Sequence, residues 1–176
     1  MVAPALVDPS RRVLVACVGN LLRGDDGFGL AVAGCLQGRL PTGADLIETG
    51  TAGLGIVHQL MEGYGALIVV DAVERRAAPG TVMVLVPEVP EVTEPTLEEW
   101  QAQIADLHLA EPSRLLRLAR AGGVLPERVL IVGCQPETCE EFEEGLSPSV
   151  AAAVPVATGR VQKLVEELLL ELNWPS

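Results

Sequence analysis

Two acid-bearing turns carry the strongest chemical signal in this sequence. The apolar run Val13–Val18 leads into Gly19-Asn20-Leu21-Leu22-Arg23-Gly24-Asp25-Asp26-Gly27, and the run Ala66–Val70 ends in Asp71. In an open α/β sheet, ligands gather beyond the carboxyl ends of the strands. If the two runs are parallel neighbours, Asp26 and Asp71 face one crevice. A carboxylate pair there serves as a general acid/base couple or as oxygen ligands for a metal. Taken singly, each acid is explained equally well by a local role, with Asp25 or Asp26 capping a helix and Asp71 shaping a turn. Their occurrence at two equivalent strand ends favours a shared site.

Other residues carry weaker signals. Gly19, Gly24, Gly27 and Gly29 occupy a strand–loop–helix, where a phosphate-binding loop would sit. Their order is not GxGxxG, the Walker lysine is absent, and two aspartates at the helix start repel a phosphate. A non-proteolytic nucleotide- or metal-binding module using the 19–29 loop is therefore the weaker alternative. In Gly50-Thr51-Ala52-Gly53-Leu54-Gly55 the glycines permit close backbone approach and Thr51 can cap a helix. Gly50, Thr51 and Gly53 are thus candidates for docking a substrate peptide, with a simple turn as the competing explanation. Of the two histidines, His58 falls between Val57 and Leu60 in a predicted helix and reads as structural. His108 precedes Pro112 in a loop, where it is either exposed or a metal ligand. Cys17, Cys35, Cys134 and Cys139 form no CxxC pair and no zinc-site spacing. Cys17, inside an apolar run, reads as a small buried hydrophobe.

The elements that must position these residues alternate along the chain. Val13–Val18 and Ala66–Val70 are short apolar runs without alternation, which suits parallel strands buried on both faces. Residues 44–48, 81–86 and 129–132 read as further strands. Helices are predicted over 27–40, 53–61 and from Pro112 to about Ala121, where Gly122-Gly123 stops the run. The last helix follows from Val161, Leu164, Val165, Leu168, Leu169 and Leu172 at helical spacing. Residues 87–99, rich in Pro and Glu, read as an acidic surface loop, with a helical turn around 97–104. The order predicts an α/β layer fold with a mostly parallel sheet covered on both faces. Too few residues separate 66–70 from 81–86 for a crossover helix, so at least one antiparallel pairing and a mixed sheet are expected.

Composition narrows the function classes. The chain has 176 residues, the size of one domain, and 49% are hydrophobic, enough for a large core. Against 24 acidic side chains stand 12 basic ones, a net charge of −12. Binding to nucleic acid or to an anionic membrane surface is disfavoured by that balance. No apolar stretch reaches the roughly 18–20 residues that span a bilayer, and Met1–Ser10 lacks the pattern of a secretory signal. A cytoplasmic protein with reduced thiols is expected, with 1–10 as a flexible tail.

Taken in order, the segments resemble the hydrogenase maturation proteases, endopeptidases that trim the C-terminus of a nickel–iron hydrogenase large subunit. The matching pieces are VGNLLRGDDGFG at 18–29, ETGTAGLGIVHQL at 48–60, LIVVDAVERRAAPGTV at 67–82, LPERVLIVGCQPE at 125–137 and SPSVAAAVPVA at 147–157. The GN-x4-DDGxG and VDA…PGTV segments are the specific part, and the likeness covers almost the whole chain.

The resemblance implies a single domain over 1–176, a three-layer sandwich of phosphorylase/hydrolase-like architecture. It also implies three metal ligands from separate loops. Motif matching puts them at Asp26, the second acid of the GN-x4-DD stretch; at Asp71, the acid of LIVVDA; and at His108, the only histidine between PGTV and LPERV. Two carboxylates and an imidazole suit a borderline divalent metal, nickel or another, and three ligands leave positions open to water or substrate. In that family the nickel arrives with the precursor, which is the partner. Asp26 and Asp71 double as the catalytic acids, an aspartyl-type assignment, since no Ser/His/Asp triad or HExxH is present.

Overall fold

The computed structural model describes residues 8–50, 54–90, 112–139 and 144–173. Five strands form one sheet: β1 (Val13–Val18), β2 (Ala44–Thr49), β3 (Ala66–Ala72), β4 (Val82–Leu85) and β5 (Arg128–Cys134). Their spatial order is β2-β1-β3-β5-β4. The first four in that order run parallel, and β4 lies antiparallel to β5 at the edge. The expected antiparallel pairing is present, but between β4 and β5. Both edges of β3 are already taken, by β1 and β5, so β4 can only join farther out.

Helices cover both faces. α1 (Phe28–Leu36) and α4 (Pro148–Asn173) pack over Val13, Val15, Cys17, Ile68, Val70 and Val132. α2 (Leu54–Leu60) and α3 (Pro112–Ala121) pack over Leu14, Ala16, Leu67, Val69 and Ile131. The alternation of strand side chains between two apolar layers explains why β1 and β3 read as unbroken apolar runs. The result is the expected three-layer α/β sandwich with a mixed sheet.

Several boundaries differ from expectation for local reasons. α1 stops at Leu36 and the chain leaves the helix at Gln37, well short of Leu40. α4 begins at Pro148, more than three turns before Val161. Pro155 inside it reads as a breaker in sequence, yet Val150, Ala153, Val154 and Ala157 are buried on the same face as the later leucines. Packing of that stripe outweighs the one backbone bond a proline removes. Pro9–Arg11 form a 3-10 turn capped by Asp8, so residues 8–10 of the expected tail belong to the fold. The helical turn predicted at 97–104, and 91–99 of the acidic loop, fall outside the described residues.

The amino edge of the sheet is fastened by polar contacts. Arg12 pairs with Asp45 and lies over the Tyr64 ring at 4.7 Å, while the Tyr64 hydroxyl donates to Asp45 Oδ2 at 3.0 Å. The carboxyl edge is organised differently.

Candidate functional site

At the carboxyl edge, β1 enters a tight turn that brings the chain back beneath β1 and β3. Asn20 Oδ1 accepts from Leu22 N–H at 3.0 Å, and Arg23 N–H donates to Asn20 O at 3.2 Å. Asn20 N–H in turn donates to Asp26 O at 3.1 Å, closing the loop on itself. Gly24–Gly27 form a 3-10 turn that runs into α1. Two glycines make this closure sterically feasible. A Cβ on Gly19 would lie 2.2 Å from Asp26 O. One on Gly29 would lie 2.1 Å from Val18 O and 2.5 Å from Val70 O. The first turn of α1 therefore abuts the last residues of both parallel strands. That approach is what sets Asp26 beside the end of β3, where Asp71 pairs across to Gly133 of β5.

The adjacent acids of this turn have different tasks. Asp25 is fully buried and works as a fastener. Its Oδ1 accepts from Ser147 N–H at 2.7 Å. Its Oδ2 accepts from Glu137 N–H at 2.8 Å, Thr138 N–H at 3.2 Å and Ser147 Oγ–H at 2.9 Å. Burial alone would raise this carboxyl, but the donated bonds, those of Ser147 first, outweigh it and hold it below the usual carboxylate range. Asp25 is thus not the helix cap that its position suggested. It joins the 24–27 turn to the segment after β5 and to the entry of α4.

Asp26 has no such network. Its Oδ2 is buried and has no hydrogen-bond partner among the described residues. Burial pushes its carboxyl up, opposed by the nearby charge of Arg23. Asp71 is 4% exposed; among the described residues its Oδ1 accepts only from its own neighbour, Ala72 N–H, at 2.8 Å. Burial, and then the charge of Asp26, raise the Asp71 carboxyl well above its ordinary value. Two carboxyl groups held in mutual repulsion, one with an orphaned buried oxygen, call for a shared proton or a cation between them. Two oxygen donors fit part of a metal's coordination sphere. Among the described residues, no set of three or more His, Cys, Asp and Glu side chains is arranged to hold a metal. His108, the third ligand expected from the resemblance, lies outside the described residues.

Gly50 is exposed and follows β2 at this same edge, with Thr49 O accepting from Gly19 N–H at 3.3 Å. Thr51 and Gly53 lie outside the described residues. His58 is exposed on α2 rather than packed among its apolar neighbours, a correction to the structural reading. Cys17 is a buried hydrophobe, as expected, and burial followed by the charges of Glu48 and Asp71 raises its thiol to about 12.

Two contributors went unread in the sequence. Buried Gln135 fixes the loop that follows β3: its Oε1 accepts from Arg75 N–H at 2.8 Å and Ala77 N–H at 3.2 Å, and its Nε2 donates to Glu74 Oε2 at 2.9 Å. It lies in the quoted LPERVLIVGCQPE segment, but nothing local announces a partner 60 residues away. The second is Arg23. One terminal nitrogen donates to Cys139 O at 3.3 Å, while its Nε is buried without an acceptor among the described residues.

The chain also has measurable likenesses. A family model described as hydrogenase maturation protease matches residues 32–164, three quarters of the chain; the match includes Asp71 and begins after Asp26. The hydrogenase 2 maturation protease of Escherichia coli (strain K12) is 32% identical over 160 residues, covering 89% of this chain and 92% of that protein. The hydrogenase expression/formation protein HupD of Rhizobium leguminosarum bv. viciae is 32% identical over 152 residues, 85% of this chain and 71% of that protein. Among solved structures, the hydrogenase maturating endopeptidase HybD from E. coli superposes with a TM-score of 0.67 at 31% identity, covering 89% of this chain and 93% of that one. A hydrogenase 2 maturation peptidase from Thaumarchaeota archaeon SCGC_AB-539-E09 does so with 0.63 at 35% identity, covering 88% and 98%. With the family model matching three quarters of the chain and a relative of 32% identity aligned over 89% of this chain and 92% of its own length, the chain belongs to the hydrogenase maturation protease family.

Proposed function

We propose that this chain is the endopeptidase that removes the C-terminal extension of a nickel-loaded nickel–iron hydrogenase large-subunit precursor in the cytoplasm. Membership of a maturation protease family supports the peptidase activity, and the carboxyl-edge geometry supports the manner of recognition. The observation that carries the reading is the buried, unpartnered Oδ2 of Asp26 beside the buried carboxyl of Asp71. Such a pair lowers its own free energy by taking up a cation, and two oxygens alone hold one weakly. The metal therefore comes with the substrate: nickel in the precursor, whose own ligands complete the sphere. Asp26 and Asp71 supply the carboxylates, and His108 is the third ligand implied by the resemblance. Exposed Gly50, at the end of β2, is proposed to meet the extended tail, a role the sequence also offers to Thr51 and Gly53.

In this role the acids have two duties. They bind the nickel-bearing part of the precursor, and a carboxylate of the pair accepts a proton from the water that attacks the scissile carbonyl. That is the sense in which the enzyme is aspartyl. No helix among the described residues is long and apolar enough to cross a membrane. The nucleotide alternative has no support here, because the glycines of the 19–29 loop serve close packing of α1 on β1 and β3 and leave two acids where phosphate would sit.

The test is Asp71→Asn, nearly isosteric but without the charge. Precursor is incubated with wild type and variant and the tail is followed by mass. Loss of cleavage in a variant that melts no lower than wild type supports the reading. Cleavage at the wild-type rate removes Asp71 from the site.

A further inference from the structure

The turn that carries Asp26 also carries two exposed leucines. Leu21 is 61% and Leu22 57% exposed, although leucine is among the residues that gain most from leaving water. Met61, Val86, Val156 and Leu170 are exposed as well, but each stands alone in the chain, which is ordinary for a protein surface. Leu21 and Leu22 are adjacent, and they precede Asp26 by only five and four residues at the carboxyl edge of the sheet.

Their backbone is tied in the conformation that presents them. Leu22 N–H donates to Asn20 Oδ1 at 3.0 Å and Arg23 N–H donates to Asn20 O at 3.2 Å, which fixes the bend. Asn20 N–H donates to Asp26 O and Asp26 N–H to Arg23 O, both at 3.1 Å, so residues 20–26 form one closed ring. Leu21 lies against the far side of that ring: a Cβ on Gly27 would meet Leu21 Cδ2 at 3.4 Å and Leu21 Cα at 3.6 Å. The leucines and Asp26 are therefore mounted on one piece, and neither side chain can fold inward without breaking it. A turn that served only to lead β1 into α1 would take polar residues at its tip with no loss of packing. A macromolecule that brings a peptide bond to Asp26 meets this tip as well.

We propose that Leu21 and Leu22 are the apolar contact through which this chain docks the hydrogenase large-subunit precursor, seated on an apolar patch that borders the precursor's nickel. The assignment rests on the endopeptidase reading above and names a docking contact for it. Covering the pair removes apolar surface from water, which drives association. It also shuts water away from one side of Asp26, where a lower dielectric strengthens attraction between carboxylate and cation. The net charge of −12 draws any cationic partner alike, and two fixed leucines add a selection by shape that charge lacks. A second copy of this chain is the competing occupant. Two leucines per copy fall far short of the roughly 1,000 Å² that a stable interface buries, whereas the precursor adds its nickel and its tail to the same contact.

The experiment compares the double variants Leu21→Ser/Leu22→Ser and Leu21→Met/Leu22→Met with wild type on nickel-loaded precursor. It measures direct binding, KM, kcat, thermal melting and sedimentation. The serine variant binds the precursor more than about tenfold more weakly, and the loss falls on KM rather than kcat. Its melting temperature does not drop, because no buried group is removed. The loss is equal at low and high salt, as a contact without charge requires. The methionine variant, still apolar and of similar volume, binds within about threefold of wild type. Wild-type affinity in the serine variant overturns the proposal and leaves the endopeptidase reading intact. A loss confined to kcat, or one that only follows a fall in melting temperature, also overturns it, since the leucines then support Asp26 or the fold. Self-association of wild type that the serine variant abolishes assigns the pair to a second copy instead. A wild-type chain that binds the precursor but never cleaves it overturns the endopeptidase reading, while the binding comparison still decides the docking contact.

Discussion

Replacing Asp25 and Asp26 one at a time by asparagine separates two neighbouring acids by the sign of their effect on stability. Asparagine is nearly isosteric with aspartate, so packing is kept and only hydrogen bonding and charge change. At Asp25 both oxygens are receivers: Oδ2 takes three donors at 2.8–3.2 Å and Oδ1 takes Ser147 N–H at 2.7 Å. The least harmful amide orientation keeps the three and sets an NH2 against Ser147 N–H. Losing one bond to a charged group costs about 1.5–3 kcal/mol. At roughly 2–4 °C per kcal/mol for a chain of this size, Asp25→Asn melts about 3–12 °C lower. At Asp26 the replaced oxygen has no donor to lose, and neutralising it relieves the repulsion on Asp71. Asp26→Asn therefore melts at or above the wild-type temperature. Cleavage divides the other way: below its melting point Asp25→Asn cleaves within tenfold of wild type, and Asp26→Asn does not cleave. Calorimetry at pH 7 with a parallel mass assay reads all four values. Melting shifts of the same sign in both variants would refute the division of labour.

Three further outcomes follow from the same geometry. A carboxyl raised in the folded state binds its proton more tightly there than in the unfolded chain. Its stabilising contribution is complete below the ordinary carboxylate value and is lost as pH rises through the raised one. Wild type should accordingly gain stability on acidification from neutral pH, until the lowered Asp25 begins to protonate, and Asp71→Asn should flatten that gain in denaturant titrations across pH. Gly29→Ala drives a Cβ to within 2.1 Å of Val18 O and 2.5 Å of Val70 O, backbone atoms that cannot swing away. Its unfolding free energy should fall by about 3 kcal/mol or more, and a change under about 0.5 kcal/mol in urea melts would contradict the close approach of α1. Buried Cys17 and Cys134, with thiols raised to about 12 and about 11, should stay unalkylated at pH 8 in the folded chain and react once it is denatured, as read by intact mass.

The fold was legible wherever a segment's own pattern settled its environment. Val13–Val18 and Ala66–Val70 are apolar without alternation because helices lie on both sides of them, and no distant partner is needed to see that. The place of β4 was not legible, since it depends on β5 having filled the outer edge of β3 some fifty residues later in the chain. The start of α4 was hidden by Pro155, whose local penalty is overcome only by packing on the completed sheet. At the site, the paired positions of Asp26 and Asp71 at strand ends could be read from spacing. The task of Asp25 could not, because its donors stand 112–122 residues away. Arg23 was silent for a related reason: an orphaned donor is defined by what surrounds it, and sequence spacing carries no record of an absent bond.

The central claim is that Asp26 and Asp71 read the nickel carried by an immature hydrogenase before its tail is cut. It is tested most directly by offering the protease nickel-free and nickel-loaded precursor side by side, without added metal, and following release of the C-terminal tail by mass. Two carboxylates with an unfilled acceptor hold a cation weakly by themselves, so the account predicts cleavage of the loaded precursor and none of the nickel-free one. Equal cleavage of both would contradict it.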